Sequence, residues 1–168
     1  MLDGELQRLG DDVAPIDLPV TTRSRARALR RAVPDRRVIV SDRSAAWIWG
    51  WVLPVPPLTT SVSITARVPS PERRRLRARE VVIDPDETVE LDGLIVTTPL
   101  RTLVDLARHD TAPDAIEVVA RGMLEHRIPP DEVARALDRR TRLAYVRRAR
   151  ALVEAAGRLV GEDGVSRC

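Results

Sequence analysis

Phenylalanine is absent from this 168-residue chain, and three Trp and one Tyr supply all the aromatic bulk, so the core is expected to be aliphatic. Lysine is absent too: all 28 basic residues are arginine. The single cysteine, Cys168, excludes an internal disulfide and a thiolate metal cluster. Only two histidines occur, His109 and His126, without His-x-x-x-His spacing, which leaves no zinc-binding set. The eight glycines are scattered, and none falls into the spacing of a phosphate-binding loop or a dinucleotide fingerprint. Long apolar runs are also missing. The most apolar window, WIWGWVLPVPPL at 47–58, is too short to cross a bilayer and is broken by prolines. The opening MLDGELQRLGDD lacks the basic and apolar regions of a signal peptide. Together these absences predict no catalytic constellation, no cofactor, no metal, no membrane insertion and a cytoplasmic location.

What is present is a composition of 43% hydrophobic and 32% charged residues, that of a globular domain. Charge is segregated along the chain: residues 1–19 carry a net −4, 20–80 a net +10, 81–138 a net −8 and 139–168 a net +5. Segregation matters more than the total of +3, because the distribution of charge decides which partner is attracted.

Local signals predict an α+β fold with a small, mostly antiparallel sheet and N-terminal helices, followed by a C-terminal bundle of about four helices. Residues 1–19 read as a flexible acidic lead-in with at most a short helix at 3–9. The domain proper is expected over 20–156, its sheet part at about 38–97 and its helical part at about 98–156. Thr22 reads as the cap of a helix that Pro34 stops. Val38, Ile39 and Val40 form a short strand, after which Ser41 caps a helix ended by Gly50. Further strands are expected at 60–68, 80–84, 88–91 and 94–97, the last two joined by Asp92-Gly93, a strong hairpin signal. Thr98 and Pro99 open a helix to about Arg108. Three more follow, to about His126, from Pro129-Pro130-Asp131, and over 142–156 with Gly157 as the stop; 157–168 reads as a disordered tail.

Two features carry potential chemistry. Arg23, Arg27, Arg30 and Arg31, together with Arg73, Arg74, Arg75 and Arg77, concentrate positive charge on two segments. If these share a face, duplex DNA is the partner it attracts, because neutralised phosphates release condensed counterions. The carboxylates Asp84, Asp86 and Glu87, and Glu90 with Asp92, sit in turn sequences and read as turn chemistry. Within VTTPLRTLVDLAR (96–108), Arg101 lies one helical turn before Asp105. An exposed pair of that kind contributes only about 0.5 kcal/mol or less, so a larger role is expected: Arg101 reaches back to strand carbonyls or acids and locks the helix start to the sheet edge.

The ordered set SDRSAAWIWG (41–50), ELDGLIVTTPLRTLVDLAR (90–108) and DAIEVVARGML (114–124) resembles the AbiEi-type antitoxins of bacterial type IV toxin-antitoxin systems, in particular actinobacterial members, over roughly residues 20–155. The residues that carry it are Ser44, Thr98, Pro99, Arg101, Thr102 and Asp105. The resemblance implies a non-catalytic protein that represses its own operon and opposes a nucleotidyltransferase-type toxin, with this motif as scaffold or toxin-facing surface. It also implies a DNA-binding winged helix at the amino terminus, which residues 1–19 do not hold, so the expectation is either a shortened member, or a start that lies upstream, or DNA contact moved to the arginine segments. Some relatives carry a very-short-patch-repair-like endonuclease domain at the carboxy terminus, which leaves a protein-interaction scaffold, or the remnant of such a larger protein, as the alternative expectation.

Overall fold

Thr21, one residue before the expected cap, starts the first long helix: its hydroxyl accepts from the Ser24 N–H at 3.2 Å while its own N–H donates to Ser24 Oγ at 2.9 Å. This reciprocal capping satisfies two of the four donors a helix start leaves open. The computed structural model to which this helix belongs describes residues 6–9, 12–15, 20–53, 55–139 and 146–165, with side chains over 20–53, 55–139 and 146–161.

Upstream, β1 (Leu6–Leu9) and β2 (Asp12–Pro15) pair antiparallel, Leu6 opposite Pro15. Strand therefore replaces the short helix expected at 3–9, at least over 6–9. A segment bounded so closely by Gly4 and Gly10 is too short to offset the cost of nucleating a helix. After α1 (Thr22–Arg30) come β3 (Val38–Val40) and α2 (Asp42–Trp49), which Gly50 closes at φ 97° with its N–H turned to the Ala46 and Trp47 carbonyls. Then follow β4 (Thr60–Ser63), α3 (Ser70–Arg75), β5 (Arg79–Val81), a 3-10 turn at Pro85–Glu87, β6 (Thr88–Leu91) and β7 (Leu94–Thr97). The helical half is α4 (Pro99–His109), α5 (Ala115–His126), α6 (Pro130–Asp138) and α7 (Val146–Val165).

The five-stranded sheet has the order β5-β4-β3-β7-β6. It is mixed rather than mostly antiparallel: β3 pairs with β4 and β7 with β6 antiparallel, but β3 with β7 and β4 with β5 run parallel. Both parallel pairs come from crossings that carry a helix, and such a crossing returns the chain in the same direction. One of those helices, α3, was not expected: it buries none of its residues, so it leaves no apolar period in the sequence. It also ends the β4 strand signal early, at Ser63 instead of 68.

The core is aliphatic as expected, with Trp51, Ile48, Leu94, Leu103, Leu106, Met123 and Leu137 among its largest buried side chains. Helix α7 runs through Gly157 to Val165, which corrects both the stop and the disordered tail over 157–165; residues 166–168 lie outside the described residues. At Gly157 a Cβ would stand 2.9 Å from Pro130 Cγ, so its missing side chain lets α7 close on the start of α6. That packing outweighs the roughly 1 kcal/mol a mid-helix glycine costs.

Candidate functional site

Helix α4 bears the residues singled out from the sequence. Thr98 is its N-cap, with Oγ1 accepting the Arg101 N–H at 3.4 Å, and Pro99 occupies the first turn. Thr102 is fully buried, its hydroxyl 2.7 Å from Thr97 Oγ1 and 2.9 Å from the Thr98 carbonyl oxygen, which ties the strand end to the helix start. Arg101 is 3% exposed and Asp105 1%, so their pair is a core feature and not the surface pair that spacing alone suggests. Arg101 Nε donates to both Asp105 oxygens at 3.0 and 3.1 Å, and Nη1 donates to the Val82 carbonyl at 3.1 Å and to Glu87 Oε2 at 2.7 Å. Glu87 thus adds an anchor for Arg101 to its place in the 84–87 turn, where it also accepts the Asp84 N–H. Burial pushes the Asp105 carboxyl up, against the downward pull of the Arg101 guanidinium. Ser44, buried in α2, exchanges hydrogen bonds with Thr59 and fastens α2 to the chain entering β4.

The carboxy end of α4 meets the first turn of α2 in a second polar cluster. Asp42 stands at φ 50°, a left-handed conformation that aspartate tolerates at a cost of about 1–2 kcal/mol. Its Oδ2 accepts from Arg79 Nη2 at 3.0 Å and from Ser41 Oγ at 2.9 Å; its Oδ1 lies 3.5 Å from His109 Nδ1, an ion-pair distance without hydrogen-bond alignment. Burial pulls the Asp42 carboxyl upward, yet His109, Arg79 and Ser41 outweigh it and hold the group below the usual carboxylate range. Beside it, Arg43 reaches Asp110 at 3.1 Å and Asp114 at 2.6 Å. Asp42 Oδ1 with His109 Nδ1, and Arg43 Nε with Asp110 Oδ2, thus face each other as buried ion pairs without hydrogen-bond alignment, and Arg79 Nε is buried without a hydrogen-bond partner.

Both clusters open onto one cleft of about 680 Å³. One wall is the run from Arg79 to Glu87, the other is α4 from Thr98 to His109, and Ala136 and Arg139 of the α6 end close it. The walls run in opposite senses: Glu87 accepts the Thr98 N–H at one end, and Arg79 and His109 share Asp42 at the other. Both signs of charge line the cleft. Asp84, Asp86 and Glu87 lie with Arg101 at the Thr98 end, and Arg79, Glu80, Arg108, His109 and Arg139 line the rest.

The arginine segments meet, but not as one uniform set. Arg23 and Arg27 both turn to Asp92 of the β6-β7 hairpin, at 4.0 and 2.8 Å, and Arg30 donates to the Val33 carbonyl. Arg31 is exposed at the end of α1, and the chain that follows it is stitched to the α3 segment: Arg75 Nη2 donates to the Ala32 carbonyl at 3.1 Å and Arg37 Nη1 to the Arg67 carbonyl at 2.6 Å. Arg73 pairs with Glu80 and Arg75 with Glu72. Arg74 and Arg77 are exposed, as is Arg67, and among the described residues these three enter no ion pair. The result is a band over 31–37 and 67–77 with eight arginines against two acids. Arg25, by contrast, points inward, donating to the Trp47 carbonyl at 2.6 Å beside the Trp47 ring.

Sequence reasoning missed Asp42, Arg79 and His109 as partners. The spacing of Arg101, Asp105 and Arg108 on one helical stripe was the available signal; nothing local foretold Arg79, which a strand pairing delivers. No group of three or more His, Cys, Asp or Glu suited to a metal occurs among the described residues, and no described helix is long and apolar enough to cross a membrane. The chain matches no protein-family model, no curated protein and no solved structure.

Proposed function

We propose that this chain is a non-catalytic, antitoxin-like transcriptional regulator that acts in the cytoplasm, grips duplex DNA through the arginine band and restrains a nucleotidyltransferase-type toxin. The observation that carries the DNA part is the stitching of 31–37 to 67–77 by the Arg75 and Arg37 hydrogen bonds, which makes one cationic surface from segments 30 residues and more apart. Exposed guanidiniums without a carboxylate partner are the groups that release counterions from phosphates. The toxin part rests on the resemblance carried by Ser44, Thr98, Pro99, Arg101, Thr102 and Asp105. In this reading the α4 motif is scaffold: its charged groups are bound to one another, and none is paired with a nucleophile.

The test is a titration of duplex DNA from upstream of the reading frame at several salt concentrations. Each phosphate contact contributes about −0.9 to the slope of log K against log salt, so Arg67→Gln/Arg74→Gln/Arg77→Gln is expected to flatten it by about 2.7. An unchanged slope removes the band as the DNA contact, and no binding by the parent chain removes DNA from the proposal. Co-purification with the product of the neighbouring gene tests the toxin part, and a stable complex without DNA binding favours an interaction scaffold instead.

A further inference from the structure

The cleft along α4 is not used by that reading, and one of its walls is an open sheet edge. β5 is the outermost strand and pairs only with β4, in parallel, with Ser63 opposite Val81. The Ile64 N–H donates to the Val81 carbonyl at 2.9 Å, so Arg79 and Val81 direct their backbone groups toward β4. By the alternation of the ladder, Glu80 and Val82 turn theirs the other way. The Val82 carbonyl agrees, since it accepts from Arg101 Nη1 of the α4 wall at 3.1 Å. The N–H and C=O of Glu80 and the N–H of Val82 are left without a partner among the described residues. Such an edge is a template for another strand. Beside it, Ile64 at 59% exposure and Val82 at 66% present unburied apolar surface, with buried Val104 on the facing helix.

The charges around this apolar middle are mostly matched within the protein. Arg79 pairs with Asp42, Glu80 with Arg73 and Glu87 with Arg101, and His109 faces Asp42. Arg108 is engaged as well. Among the described residues that line the cleft, Asp84 and Asp86 at the Thr98 end, and Arg139, remain without an ion pair. Arg139 belongs to the opposite end. Its neighbour Asp138 pairs with Arg150, and Arg148, in the same turn of α7, donates to the carbonyl of Asp110, which directly follows α4. Between the two ends lie the eleven residues of α4, about 16 Å, the reach of about five extended residues.

We propose that this cleft takes up an extended segment of a partner protein, about five residues long, as a further strand antiparallel to β5. Antiparallel pairing lets one residue of the segment exchange both backbone bonds with Glu80, and it is the more stable arrangement per residue. β5 runs from the His109 end toward Asp84, so the segment begins beside Asp84 and Asp86 and ends beside Arg139. Opposite charges then put a basic residue first and an acidic residue last, with aliphatic residues between them along Ile64, Val82 and Val104. This surface is separate from the arginine band and does not depend on it.

The experiment titrates the full chain with the capped peptide acetyl-Arg-Val-Thr-Val-Glu-amide and follows amide shifts and hydrogen exchange by NMR. Two further peptides share its composition: one with the Arg and Glu exchanged, and one with the central N–H methylated, which removes the bond to the Glu80 carbonyl. Saturable binding that protects the Glu80 and Val82 amides from exchange supports the site. Exchanging the charges or methylating the central amide should each weaken binding about tenfold, the loss of about one net hydrogen bond or of two matched charges. Asp86→Arg/Arg139→Glu, at two exposed positions, should prefer the peptide with exchanged charges. No saturation at millimolar concentration, equal binding of all three peptides, tight binding of the methylated peptide, or a preference that the double variant leaves unchanged overturns the proposal. Protection of the same two amides by self-association, without peptide, assigns the edge to a second copy and overturns it too. Arg67→Gln/Arg74→Gln/Arg77→Gln should leave peptide binding intact, and Asp86→Arg/Arg139→Glu should leave the parent's DNA salt slope nearly unchanged, so the two readings fail separately.

Discussion

Arg101 and Asp105 form the most deeply buried ion pair among the described residues. Each is almost fully buried, and every hydrogen bond described for the Arg101 side chain goes to a fixed acceptor. A buried pair contributes little net stability over a well-packed apolar pair, but removing one partner strands a charge. Arg101→Met is therefore expected to cost about 3–5 kcal/mol in urea denaturation, and Arg101→Met/Asp105→Leu to recover most of it. A single variant that loses less than about 1 kcal/mol shows that water reaches Asp105. His126 makes a different prediction. It is held edge-on by Trp49 and Trp51, with ring centroids 5.5 and 5.4 Å apart, and burial lowers its pKa below 6.5 while Glu125 opposes the shift. Its place at the end of α5 suggests a partly cationic ring, and the two indoles reverse that. With the folded value depressed, the unfolded chain binds more protons just below 6.5, so His126 stabilises the neutral-pH fold and that contribution fades as pH falls through 6.5. Melting temperature should drop between pH 7.5 and 5.5, and His126→Gln should flatten that segment of the profile; an equally steep profile in the variant removes His126 as the cause.

Elements were legible where their signals are local. α4 announces itself by a capping threonine, a proline in its first turn and an apolar stripe, and the Asp92-Gly93 turn by residues that accept φ of 48° and 80°. α3 escaped because it buries nothing, and α7 was cut short because Gly157 was read as a breaker when it is a close-packing position. Glycines in helices separate these two roles, and the separation is measurable. At Gly122 a Cβ would lie 2.8 Å from Leu103 Cδ2 and 2.9 Å from the Trp51 ring, all within the core. Gly122→Ala adds about 1 kcal/mol of helix propensity but forces an overpacked core that costs about 1–3 kcal/mol, so a net loss is expected. Gly161 has nothing within 4 Å of such a Cβ, and Gly161→Ala should stabilise α7 by about 0.5–1 kcal/mol. Thermal denaturation of the two variants, moving in opposite directions, checks both; a stabilised Gly122→Ala means α5 stands further from Trp51 than described.

At the scale of the whole molecule, the sequence had no means of reporting what distant pairings create. Parallel contact between β4 and β5 places Arg79 at the inner end of the cleft, and neither residue spacing nor composition encodes that register. The cationic surface shows the same limit: its two arginine segments were visible, but how they divide between partners was not. Asp92, on the far hairpin, already faces Arg23 and Arg27, whereas Arg74 and Arg77 face solvent. A guanidinium held by a carboxylate must give up that contact before it neutralises a phosphate, so it contributes less to counterion release. Arg74→Gln/Arg77→Gln is accordingly expected to flatten the DNA salt slope by about 1.8, and Arg23→Gln/Arg27→Gln by clearly less. Asp92→Asn then frees the first pair and should steepen the slope of the parent chain toward two further contacts. If the Arg23 and Arg27 pair instead carries the larger share, and Asp92→Asn changes nothing, the docking surface lies along α1 and not along the stitched band.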